Sequence, residues 1–145
     1  MTDYEMIQNL LSAYCFKTDR GTAEEIGELF WADGRTVFDG NVHQGIETIV
    51  TGLQKWIDKR RAPLVGLRHM VHAPHIEIDG DTATSEVYYD ADAHSINRGK
   101  LIQLRGIYID KLEKRNGEWR FIERETQIWR SALDHADAPT KAAQK

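Results

Sequence analysis

The stretch LIQLRGIYIDKLEKRNGEWRFIERETQIW, residues 101–129, decides the fold. Leu101 to Lys114 and Trp119 to Trp129 are long strand candidates, and Asn116-Gly117 between them is a strong two-residue hairpin signal. In the second strand Trp119 and Phe121 define one face, whereas Ile122, Arg124, Thr126 and Ile128 define the other. The apolar register therefore shifts midway, so a bulge intervenes or both faces are partly covered. Working back toward the N-terminus, Thr82 to His94 and Leu67 to Ile78 are two more strand candidates, joined at Asp79-Gly80-Asp81.

Before Pro63 the period changes. Thr2 and Glu5 have capping-box spacing, and Ile7, Leu10, Leu11, Tyr14 and Cys15 follow at helical intervals. This predicts a helix over about 3–17, broken at Gly21. Thr22 and Glu25 repeat the signature for a short second helix with Ile26, Leu29 and Phe30 as its buried stripe. Trp31 to Phe38 reads as a short strand pair or turn, punctuated by Asp33-Gly34 and Asp39-Gly40. Gly45 precedes a third helix with Ile46, Ile49, Val50, Leu53 and Ile57 on its inner face. Helices followed by an antiparallel meander predict an α+β domain, its helices on one face of a curved sheet with a cavity between them. One domain over residues 1–130 is expected, followed by a polar, mobile tail over 131–145.

Bulk properties narrow the function classes. The 145 residues are 41% hydrophobic and 29% charged, with net charge −4 and pI near 5.8. That balance argues against nucleic acid or anionic lipid as a partner. The one basic run, Lys55 to Arg61, reads as the wet end of a helix. No segment approaches the roughly 20 apolar residues of a membrane span, and the N-terminus does not read as a signal peptide. A lone Cys15 excludes a disulfide framework and suits the cytoplasm.

Three features carry candidate chemistry: Tyr14 with Asp19 beyond it, the histidines His69, His72 and His75, and Arg124. Pro74 disfavours the helix that would gather the three histidines round a metal. On a strand, His69 and His75 share a face and His72 points away, so no metal is expected. The alternative is a single catalytic histidine oriented by Asp19, set against a surface histidine and a loop aspartate. Tyr14 lies on an apolar stripe, as a core residue or with its hydroxyl in a cavity. Arg124 is either buried beside an anionic partner or part of a surface ion pair. Asp90, Asp92 and His94 share parity and line a pocket mouth or face solvent.

The order Ile7-Gln8-x-Leu-x-x-x-Tyr14, Asp19, Leu67-Arg68-His69-Met70-Val71, then Asn116-Gly117-Glu118-Trp119-Arg120-Phe121-x-x-Arg124 resembles the SnoaL-like branch of the nuclear-transport-factor-2-like superfamily. The resemblance spans residues 3 to 130 and implies a cone-shaped α+β barrel. Within the branch the chain is similar to scytalone dehydratase, bile-acid 7α-dehydratase and hexachlorocyclohexane dehydrochlorinase. It implies a His69–Asp19 dyad that abstracts a proton during elimination, with Tyr14 polarising an oxygen and Arg124 or Asp92 managing the leaving group. The departure is His72-Ala73-Pro74, where a small polar pair is usual. The fold also hosts non-catalytic members.

The resulting expectation is a cofactor-independent lyase of dehydratase type acting on a small hydrophobic cyclic, steroid-like or polyketide-like substrate. Ketosteroid-isomerase-like or polyketide-cyclase-like chemistry is the alternative, and a ligand-binding or assembly module the rival from another class. Trp31, Phe38, Trp56 and Tyr108 are candidates for an apolar lining. An open sheet must cover its outer face, so a homo-oligomer is expected, a trimer ahead of a dimer.

Overall fold

The chain, described over residues 1–129 by a computed structural model, is three helices held against a curved, unclosed sheet of seven strands. Helix α1, Asp3–Arg20, starts on the Thr2–Glu5 capping box and ends where Gly21 turns extended. Helix α2, Ala23–Gly27, is likewise boxed by Thr22 and Glu25. Strand β1, Phe30–Phe38, turns through Asp39-Gly40 into β2, Asn41–Gln44. Both turn residues have positive φ, as a type I′ hairpin requires. Helix α3, Ile46–Trp56, then runs into a π-helical turn, Ile57–Arg61, closed by Ala62 N–H donating to Ile57 O.

The remaining strands are β3 (Leu64–Val71), β4 (His75–Asp79), β5 (Thr82–Ser95), β6 (Lys100–Arg115) and β7 (Glu118–Trp129). The sheet order is β2-β1-β7-β6-β5-β3, with β4 also on β5. Asn116 and Gly117 both take positive φ at the β6–β7 hairpin. One expectation is corrected here: the sheet is not wholly antiparallel, because β1 pairs with β7 in parallel. The chain passes from α2 straight into β1, so Phe30 opens a strand instead of closing a helix. The cone is also not a closed barrel.

Two register irregularities decide which side chains face inward. Opposite β6, the pairing steps from Lys111–Glu123 to Leu112–Phe121 and leaves Ile122 unpaired. This bulge lets Trp119 and Phe121 share the concave face with Arg124, Thr126 and Ile128. The second irregularity splits the expected strand 67–78 in two. Val71 pairs with Tyr89 and His75 with Glu86, so one extra residue lies in the His72-Ala73-Pro74 break. Side-chain parity flips across it. His69 lies opposite inward-facing Ala91, whereas His75 lies opposite exposed Glu86. The expectation that His69 and His75 share a face is thereby corrected.

The core lies between α1, α3 and the concave sheet face, around Ile7, Leu11, Ile49, Val87, Leu112 and Phe121. Each such side chain contributes about 1.5–3 kcal/mol by leaving water. Trp119 Nε1–H and Lys114 Nζ both donate to Asp3 Oδ1 at 2.9 Å, tying the start of α1 to the hairpin. Among the described residues no helix is long and apolar enough to cross a membrane. The expected mobile tail lies outside the described residues.

Candidate active site

Asp19 stands in the last turn of α1, and the end of that helix is held from outside. Arg61 of the π-helical turn donates to Thr18 O at 3.1 Å and Gly21 O at 2.8 Å, placing a cation on carbonyls the helix leaves free. The basic run expected as a wet helix end thus contributes a structural clasp. Across from it, His69 on β3 meets Asp19 twice. Its backbone N–H donates to Oδ2 at 3.1 Å, and Nδ1 lies 2.6 Å from Oδ1. Both side chains are about 10% exposed. An ionised carboxylate only accepts, so Nδ1 carries the hydrogen and Nε2 keeps a free lone pair.

His69 lines a cavity of about 170 Å³ between α1, α3 and the sheet. Tyr14 and Thr18 come from α1, while Ile49, Gly52, Leu53 and Trp56 come from α3. Tyr89, Leu104, Tyr108, Arg124, Thr126 and Ile128 form the sheet wall, and Phe38, Asn41 and His43 the β1–β2 side. Tyr89 and Tyr108 stack at 4.3 Å. Gly106 makes room for this: a Cβ there would come 2.9 Å from the Tyr89 ring and 1.9 Å from Gln127 O.

At the cavity wall Arg124 is only 1% exposed. Its Nε and Nη2 donate to the two oxygens of Asp110 at 2.7 and 2.8 Å, and Ser85 Oγ–H donates to the same carboxylate at 3.0 Å. The guanidinium carbon sits 4.0 Å from the Tyr108 ring centre and 4.3 Å from those of Tyr14 and Phe121. Nη1 has no hydrogen-bond partner within the protein. Burial by itself would weaken Arg124's hold on its proton, but the Asp110 charge and hydrogen bonds more than offset this. Burial raises the Tyr14 hydroxyl above its ordinary value, partly countered by the Arg124 charge and the neighbouring Thr18. Burial, then neighbouring Tyr14, lifts Tyr108 well above its own. Both phenols are therefore donors at neutral pH. Burial also pushes the Cys15 thiol up to about 11, which leaves it protonated.

The geometry thus gathers Tyr14, His69 and Arg124 on one cavity, with Asp19 behind His69, and Phe38, Trp56 and Tyr108 among the lining. Two expected site residues lie elsewhere. Asp92 follows inward-facing Ala91 on β5, so its side chain takes the outer face, where Arg68 binds it at 2.9 and 3.2 Å. Trp31 follows inward-facing Phe30. Its indole N–H donates to Glu113 O at 2.9 Å, and Arg115 and Arg120 cover its ring. Asp90 and His72 form a second carboxylate–imidazole contact of 2.6 Å, also on the outer face and half exposed. Among the described residues no three potential ligands from His, Cys, Asp and Glu converge as a metal site.

Sequence reasoning did not single out Asp110, His43 or Thr18. Asp110 had one signal, since it shares strand parity with Tyr108 and Leu112 on an apolar face, where a carboxylate needs a cation. His43 had none: its ring packs on Gly52 across two elements, a contact no local pattern announces.

A family model described as SnoaL-like domain matches residues 1–125. No curated protein matches significantly. Among solved structures, Rv3472 of Mycobacterium tuberculosis, a protein of unknown function, is 28% identical over 94% of this chain and 77% of its own, with TM-score 0.76. A candidate scytalone dehydratase of Novosphingobium aromaticivorans is 20% identical over 87% and 83%, TM-score 0.76. LinA is 18% identical over 86% and 84%, TM-score 0.73. At those lower identities the likeness is one of fold.

Proposed function

Because the chain belongs to the SnoaL-like domain family, we propose that it is a cofactor-independent lyase eliminating water from a small hydrophobic cyclic substrate. The observation that carries this reading is an imidazole held by a buried carboxylate with its free nitrogen on an apolar cavity. His69 Nε2 removes a proton from carbon next to a carbonyl or activated ring, and Asp19 stabilises the imidazolium that forms. Tyr14 donates a hydrogen bond to the substrate oxygen as charge builds there, and the His69 imidazolium returns its proton to the departing hydroxyl, which leaves as water steadied by Arg124 Nη1. Aligned acid–base groups of this kind contribute about 10²–10⁴-fold. Dehydratase and dehydrochlorinase relatives of the same fold support the assignment.

Isomerisation is the second reading, favoured by two protonated phenols, Tyr14 and Tyr108, able to donate to an enolate without any group leaving. Product mass separates the two, since elimination lowers it by one water and isomerisation leaves it unchanged. His69→Ala abolishes turnover in either case while leaving the fold intact. Full activity in that purified variant removes the proposed base. A cytoplasmic homotrimer is the assembly we favour. Exposed Tyr88, Leu101, Met70 and Trp129 supply apolar surface for self-association, measurable by light scattering.

A further inference from the structure

The cavity's size and charge name a narrower substrate class than the family does. A cavity of roughly 150 Å³ holds benzene, and this one, at about 170 Å³, holds one substituted ring. A four-ring steroid nucleus exceeds it.

Charge narrows the class further. Of the described residues on the wall, Arg124 alone carries a charge independent of pH, and that charge is already matched. Asp110 engages it through both oxygens, and Ser85 holds Asp110 in place. One donor, Nη1, is left without a protein partner on a side chain that is 99% buried and borders the cavity. A ligand carboxylate there would place a second anion on one guanidinium, stripped of water among Phe38, Ile49, Leu53 and Trp56, with no further cation among the described lining residues to offset it. An uncharged acceptor, such as a carbonyl or hydroxyl oxygen, satisfies Nη1 and adds no charge.

We propose that the cavity takes an uncharged, single-ring compound docked through an oxygen acceptor on Arg124 Nη1. The Asp110–Ser85 pair is what sets this selection, as positioning residues that neutralise the arginine and aim its free donor. The proposal rests on the cavity being the substrate site, as assigned above, but not on elimination being the reaction.

The test is thermal-shift titration and calorimetry at pH 8, where a carboxylic acid probe is ionised and a phenol or ketone is not. The probes are cyclohexanone, phenol, benzoate and androstenedione. Cyclohexanone and phenol should raise Tm in proportion to occupancy, with benzoate and androstenedione at least tenfold weaker. In Asp110→Asn, which leaves Arg124 unmatched, the order of benzoate and phenol should reverse. If that variant does not fold, the wild-type ranking still decides. Equal or tighter binding of benzoate or androstenedione to the wild type overturns the proposal, as does binding of none of the four. The wild type itself separates the two claims: a protein that ranks the probes as stated but releases no water from a cyclic hydroxy ketone loses only the reaction.

Discussion

Replacing Asp19 by Asn tests the site at its most specific point. The carboxylate accepts from the His69 backbone N–H and from Nδ1–H at once. An asparagine in the same rotamer accepts the first through its carbonyl oxygen, but its NH₂ then faces Nδ1 and can only donate. The imidazole must change tautomer, moving its hydrogen to Nε2 and withdrawing the lone pair from the cavity. Both contacts survive as neutral hydrogen bonds, so the stability loss is small, about 1 kcal/mol. The catalytic loss is large. Mis-setting the tautomer in an aspartate-oriented histidine lowers kcat about 10⁴-fold, equivalent to about 5.4 kcal/mol of barrier. Nitrogen-15 NMR of histidine-labelled protein reads the tautomer directly and needs no substrate. Wild type should show protonated Nδ1 and bare Nε2, and Asp19→Asn the reverse. An unchanged tautomer in the variant, or turnover within tenfold of wild type, refutes the reasoning.

Asp110→Ala strands the Arg124 charge in the core and should lower stability by about 3–5 kcal/mol, read from the urea midpoint. A loss below about 1 kcal/mol would mean the guanidinium finds water. Gly106→Ala drives a Cβ against Gln127 O and the Tyr89 ring, and should destabilise by about 3 kcal/mol or more with the Tyr89–Tyr108 stack disturbed in near-ultraviolet circular dichroism. The Asp3 carboxyl is held below its ordinary value of 3.8, first by the Trp119 indole N–H and then by Lys114. A depressed folded value means its contribution is present above the ordinary value and fades as pH falls through the folded one. Asp3→Asn should therefore flatten the fall in unfolding midpoint between about pH 4 and pH 2, and parallel profiles would dismiss the contribution.

Local signals carried much of this architecture because they describe short-range physics. Capping boxes at Thr2 and Thr22 and the Asn116-Gly117 turn each depend on a few neighbours, and each stands as expected. The meander was legible from its turn residues. The parallel β1–β7 pairing was not, because it joins residues some ninety positions apart and leaves no mark in either strand. Site residues divide along the same line. Tyr14 announced its inward face through helical spacing, and the kinked apolar pattern of β7 announced a bulge, which Ile122 provides. Asp92 and Trp31 were misplaced because each adjoins an inward-facing neighbour, and a one-residue difference in strand parity exchanges the faces. The Arg124–Asp110 pair is a cross-strand match between β6 and β7, visible only once their register is known.

The single surplus residue between Val71 and His75 has a consequence for how the protein can change. Losing one position from that link would leave equal lengths of chain on the two strands, with His75 still opposite Glu86 and Ile76 still turned toward the core. Straightening it at its present length would do the opposite. His75 would slide to Ser85, Ile76 would swing into solvent, and His75 and Glu77 would be carried inside. Pro74, which cannot donate to a ladder, stands in the way of that slip. Across these few positions the protein can lose a residue more safely than it can lose its kink.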